Sequence, residues 1–168
     1  VLDEKFFLEM QKYVEDHIDI TPVDVCESSE KVDYSIHKEI EIVELEDFIE
    51  DNRKPTLKEV LFNLIDEKDT SDAYIYKKAG IDRRHFSKIR SNPEYQVGKN
   101  TVIALALALE LNKEKTDKLL SSAGYSLSES DTYDLVIQFC IEKKVFNIYD
   151  VNQALDYFSL KPLTGLHS

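Results

Sequence analysis

The chain has 168 residues, with 33 Asp plus Glu against 21 Lys plus Arg, a net charge of −12 and a sequence pI of about 4.8. That balance excludes a basic surface running the length of the chain, so a polyanion partner must be met by a local patch. With 42% apolar residues and neither a Gly/Pro-rich tract nor a dominating run of like charge, a folded core is expected rather than disorder.

Four Gly and four Pro in the whole chain predict few tight turns and mostly helix. Cys26 and Cys140 lie far apart, which fits a reducing compartment and ordinary small apolar roles. The longest apolar run, Val102 to Leu109, is far below the roughly 18 to 20 residues that span a bilayer, and no charged-then-apolar leader opens the chain. A cytoplasmic protein with no membrane partner is expected. Because the first residue is Val and the only methionine is Met10, a region upstream is expected to be missing.

The charge is unevenly spread. Residues 1–54 carry 17 acids and 6 bases, net −11; residues 55–125 carry 10 and 12, net +2; residues 126–168 carry 6 and 3, net −3. Three segments follow: an acidic N-terminal helix and linker, the possible tail of a missing upstream domain; a middle helical domain; and a C-terminal helical extension. Anion binding belongs to the middle one.

In chain order, Phe6, Met10, Tyr13, Val14 and His17 recur at helical spacing, so Asp3 to His17 predicts one amphipathic helix, broken at Thr21-Pro22. Val23 to Lys38 is polar and acidic and reads as a linker. Ile36 to Ile49 fits either a short helix or an alternating strand and is taken as helix. The acidic stretch is either a solvated connector or an electrostatic decoy or partner-binding arm.

Thr56-x-x-Glu59 is a capping box opening a helix with Val60, Leu61, Leu64 and Ile65 inward. A short helix from Ser71 closes at Gly80. Asp82 is an N-cap for a third helix, 82–91, with Phe86 and Ile89 inward, and Asn92-Pro93 ends it. Thr101 to Leu111 is apolar nearly all round, as a buried central helix would be. Asn112 caps a fifth helix, which Gly124 ends as a left-handed C-cap. Ser128-x-x-Asp131 resembles a capping box for a helix with Leu135, Val136, Phe139, Cys140 and Val145 inward, and Asn147 caps a final helix. The last two need a surface to cover them: the middle segment, a second copy, or the missing upstream region.

Residues 71–90 (SDAYIYKKAGIDRRHFSKIR) set a glycine turn between two short helices with Ile75, Ala79, Ile81, Phe86 and Ile89 apolar, the pattern of a helix-turn-helix. With the long apolar helix and the fifth helix that follow, residues 56–125 resemble the five-helix DNA-binding domain of the λ and 434 phage repressors and Xre-type regulators. The resemblance implies an all-α, λ-repressor-like fold with a two-helix C-terminal extension, and a DNA-binding transcriptional regulator reading the major groove of double-stranded DNA, as a possible homodimer. It implies base contacts from Arg83, Arg84, Ser87 and Lys88, with guanine favoured by the arginines. It implies phosphate contacts from Lys77, Arg90, Asn92, Gln96 and Lys99.

Two residues depart from the family pattern. Tyr76 stands four before the turn glycine, where alanine is usual, which calls for a wider crossing or an outward ring. Asp72 stands where a neutral donor usually meets phosphate and would repel it. The region from Thr56 through the final two helices also resembles C-terminal regions of bacterial multidomain proteins, some carrying a macrodomain upstream. The alternative function is a protein-protein interaction module using the C-terminal helices, with the helix-turn-helix as scaffold only. His17, His37, His85 and His167 show no metal-ligand spacing, His85 is expected to be a solvent or backbone contact, and no phosphate loop or nucleophile motif is present, so neither an enzyme, a cofactor nor a metal is expected.

Overall fold

The computed structural model describes residues 2–18 and 41–164. These are all-α, with no strand among the described residues: α1 (Glu4–Ile18), α2 (Ile42–Asn52), α3 (Leu57–Glu67), α4 (Asp72–Lys78), α5 (Arg83–Ser91), α6 (Lys99–Ala108), α7 (Lys113–Ser122), α8 (Thr132–Glu142) and α9 (Ile148–Tyr157). The Val23 to Lys38 linker, Thr21-Pro22, Cys26, His37, His167 and the start of the Ile36 to Ile49 helix lie outside the described residues. No described helix is long and apolar enough to cross a membrane. Contacts divide the chain into one unit of residues 1–19 with 55–168 and another of residues 20–54.

α6 is the axis of the larger unit because its sequence leaves it no polar face after the first turn: Val102 through Ala108 are all buried. It contacts α4, α7 and α9. α3 begins at the Thr56 capping box, in which the Glu59 amide donates to Thr56 Oγ1 and the Thr56 amide donates to Glu59 Oε2 at 2.7 Å. It buries Val60, Leu61, Leu64 and Ile65 and packs on α7. Each such aliphatic side chain contributes about 1.5 to 3 kcal/mol on leaving water.

α8 is the second buried axis. The sequence suggests a stripe, but every residue from Asp134 to Ile141 is buried, because α1, α7 and α9 pack around it. α1 supplies the cover that the C-terminal helices require. Asp3 accepts from the Phe6 amide at 2.9 Å to start it. Met10 and Val14 are buried, Phe6 and Tyr13 set their rings 5.2 and 5.3 Å from Phe139, and Phe7 stacks on Tyr157 at 4.9 Å. The apolar faces of α8 and α9 are therefore used inside this unit.

Two expectations about local structure need correction. α8 is capped by Asp131, which accepts from the Tyr133 amide at 2.8 Å, whereas Ser128 caps only the turn at Ser130 and donates its own amide to Asp134. Tight turns are also common despite the scarcity of glycine. After α4, α6, α7, α8 and α9 the backbone makes the same pair of closing hydrogen bonds, for example Gly80 to Lys77 and Ile81 to Tyr76. Gly80 (φ 68°) and Gly124 (φ 82°) fill two of the left-handed positions, but Glu110, Lys144 and Ser159 fill the other three at φ 53° to 57°. Two hydrogen bonds per turn offset the roughly 1 to 2 kcal/mol that a left-handed L-residue costs. Gly80 has a second constraint: a Cβ there would meet Thr164 Oγ1 at 3.2 Å.

In the smaller unit, α2 buries none of its residues and has no side-chain hydrogen bond at its N-cap.

Candidate nucleic-acid interface

α4 and α5 are short helices whose start is fixed by a side-chain cap. Ser71 accepts from the Tyr74 amide at 3.2 Å, and Asp82 accepts from the Arg84 amide at 2.7 Å. Between them Ala79 and Ile81 are buried on either side of Gly80, so the corner is anchored in the core. α5 then buries only Phe86 and Ile89. The Phe86 ring lies 5.9 Å from Phe62 of α3 and 5.6 Å from Tyr76 of α4. Tyr76, the departure from the alanine pattern, is half-buried against Phe86, and α4 and α5 still pack on each other.

With one face fixed, the helical period sends Arg83, Arg84, Ser87 and Lys88 outward. All four are exposed, and among the described residues none of the three cations is in an ion pair. Lys88 Nζ sits 6.0 Å over the ring of Tyr95, which sequence reasoning did not single out. Tyr95 also meets the His85 ring edge-on at 5.6 Å. His85 is half-buried, and its Nε2 is buried without a hydrogen-bond partner among the described residues. Its ring packs against Tyr95, which follows the C-terminal end of α5.

The five residues expected at phosphate separate into two groups. Lys77, Asn92 and Gln96 are exposed, with Asn92 Oδ1 accepting from the Glu94 amide at 3.0 Å to shape the turn after α5. Arg90 and Lys99 are engaged elsewhere. Arg90 pairs with Asp72 and lays its guanidinium 4.8 Å from the Phe62 centroid. The acid at position 72 is thereby neutralised from within, and α4 is tied to α5. Lys99 Nζ lies 2.6 Å from Asp134 Oδ2, an oxygen that also accepts from the Ser128 amide at 2.8 Å. Asp134 is 2% exposed, so Lys99 joins the first turn of α6 to α8 as a structural tie. Lys78 is similarly held by Glu110 at 2.8 Å, and that hydrogen bond keeps the Glu110 carboxyl below its ordinary range. No spacing in the sequence signals pairs that span 18, 32 or 35 positions.

The remaining chemistry is sparse. A cavity of about 600 Å³ beside Arg90 is lined by Pro55, Lys58, Glu59, Phe62 and Asn63, where Glu59 is already the capping-box acid. Cys140 is buried, and burial pushes its thiol up to about 12, far from a nucleophilic thiolate. Among the described residues no cluster of three His, Cys, Asp or Glu side chains could hold a metal ion. The interface is therefore a short, capped helix with an outward row of cations, and it can offer charge-assisted hydrogen bonds to an anionic groove. No protein-family model, no curated protein and no solved structure matches the chain.

Proposed function

We propose that the chain binds double-stranded DNA through α5, as the DNA-binding part of a transcriptional regulator with a λ-repressor-like domain formed by α3 to α7. The observation that carries this reading is the exposed set Arg83, Arg84, Ser87 and Lys88 on one side of a helix whose other side is anchored by Phe86 and Ile89. Arginines at the start of such a helix, in no ion pair among the described residues, suit the O6 and N7 acceptors of guanine. Lys77, Asn92 and Gln96 flank them and would hold phosphates without specifying sequence. One helix of nine residues reads only a few base pairs, so a dimer on two half-sites is the working form.

The test is selection of bound fragments from the parent genome, followed by binding of the selected site by the Arg84→Ala variant. A loss of about 1 to 3 kcal/mol in affinity is expected. Unchanged affinity would remove α5 from the interface.

A further inference from the structure

α2 is an 11-residue helix whose apolar face is exposed and covered by none of the other described residues of its unit. Ile42, Leu45, Phe48 and Ile49 are 73%, 45%, 64% and 43% exposed, and at 3.6 residues per turn they share about 120° of arc. Val43, also exposed, falls outside that stripe. Apolar anchors at i, i+3 and i+7 are the pattern by which an amphipathic helix enters a groove, and an exposed contiguous apolar patch marks an interaction surface.

The charges decide what kind of groove. Between Ile42 and Asn52 there are five acids and no base. Glu44 borders the stripe on the Phe48 side, and Glu46 and Glu50 border it on the Ile42 side, so both rims are negative. A second copy of α2 would set like-charged rims against each other. Helices that lie on membranes carry Lys and Arg on their polar face and are drawn to anionic lipid, which these acids repel. DNA is excluded by the same sign. The complementary occupant is a protein groove with an apolar floor and Lys or Arg on both rims.

The helix is also poor by itself. Glu41 gives it no side-chain cap, Glu50 and Asp51 sit in the last turn against the macrodipole, and its length is below the roughly 12 to 15 residues an isolated helix needs. A partner groove would supply the stability that the helix lacks. We infer that α2 is a docking helix for an apolar, basic-rimmed groove on a partner protein. This stands apart from the DNA-binding reading.

The test places a photo-crosslinking phenylalanine analogue at position 48 of the full chain in cells of its source, with the cross-linked peptides identified by mass spectrometry. The expected result is a cross-link to an apolar segment of another protein flanked by Lys or Arg. Its yield should fall at least about tenfold with Leu45→Asp, as for loss of an interface anchor, and likewise with the Glu46→Lys, Glu50→Lys pair. Arg84→Ala should leave the cross-link unchanged, and Leu45→Asp should leave DNA affinity unchanged, which separates failure of this inference from failure of the DNA-binding reading. Cross-links to a second copy, to lipid, to the chain itself or to nothing would overturn it, as would a yield indifferent to Leu45→Asp.

Discussion

α5 and α8 begin alike and end up with opposite surroundings. Each is capped by an aspartate that accepts from the amide two residues on, at 2.7 Å for Asp82 and 2.8 Å for Asp131. α8 then buries everything from Asp134 to Ile141, so its polar groups must find partners inside: Asp134 takes Lys99 and the Ser128 amide, and Gln138 Oε1 accepts from the Tyr13 hydroxyl at 3.5 Å. α5 buries two residues and leaves its cations to the outside. The buried charge of α8, Asp134, is therefore a structural group, whereas Arg83, Arg84 and Lys88 of α5, unlike the paired Arg90, are exposed and in no ion pair among the described residues.

The position of α5 depends most on its buried anchor. Phe86→Ala removes a ring packed on Phe62 and Tyr76 and is expected to cost about 3 to 5 kcal/mol in denaturant unfolding. A cost below about 1 kcal/mol would mean that α5 is not held by the core. Asp134→Ala leaves Lys99 without its buried partner, and about 3 kcal/mol is expected, at the low end for such a loss because the ammonium can reach water. An effect confined to the range of surface substitutions, about 0.5 kcal/mol, would contradict its structural role.

Buried and half-buried groups of this unit also set an alkaline limit. Burial, aided by Glu142, raises the Tyr13 hydroxyl from its ordinary 10.0 to about 12. Burial first, then Asp134 and Asp131, raises Tyr133 to about 12, and burial, then Asp150, raises Cys140 from 9.0 to about 12. The folded state keeps protons that the unfolded chain releases, so their contribution is intact below pH 9 and is lost as pH rises toward 12. Thermal unfolding across that window should show a falling midpoint, and a flat profile would contradict their burial.

At α5 itself the expectation reverses. Arg84→Ala should change folding stability by no more than about 0.5 kcal/mol while weakening DNA binding, and a large stability loss would make Arg84 structural like Asp134. The smallest effect is at a turn. Lys144→Gly relieves a left-handed L-residue at φ 57° and should stabilise by about 0.5 to 1 kcal/mol. Destabilisation would show that the lysine side chain does more than tolerate the turn.

Helix starts were the most legible feature in the sequence, because a cap is a local contact: Thr56, Ser71, Asp82, Asn112 and Asn147 all accept the amide that their position predicts. The pattern misled at Ser128, where a second capping residue stood three positions on. Helix ends were harder, since Glu110, Lys144 and Ser159 occupy left-handed positions that composition assigns to glycine. The outward row on α5 could be read because Phe86 and Ile89 fix its phase. What could not be read was tertiary: that Asp72 would occupy Arg90, that Asp134 would occupy Lys99, and that α1 would close over Phe139.

If the cations near α5 that form no ion pair among the described residues meet DNA phosphates and bases, as proposed, duplex affinity depends steeply on salt. Lys77, Arg83, Arg84 and Lys88 together predict that log K falls against log salt with a slope of about −3 to −4 per chain, reduced by about 1 in Lys77→Ala. Arg90→Ala should leave that slope unchanged, because Asp72 already holds the guanidinium. Absence of duplex binding at low salt, or a slope indifferent to Lys77 and Arg84, would contradict it.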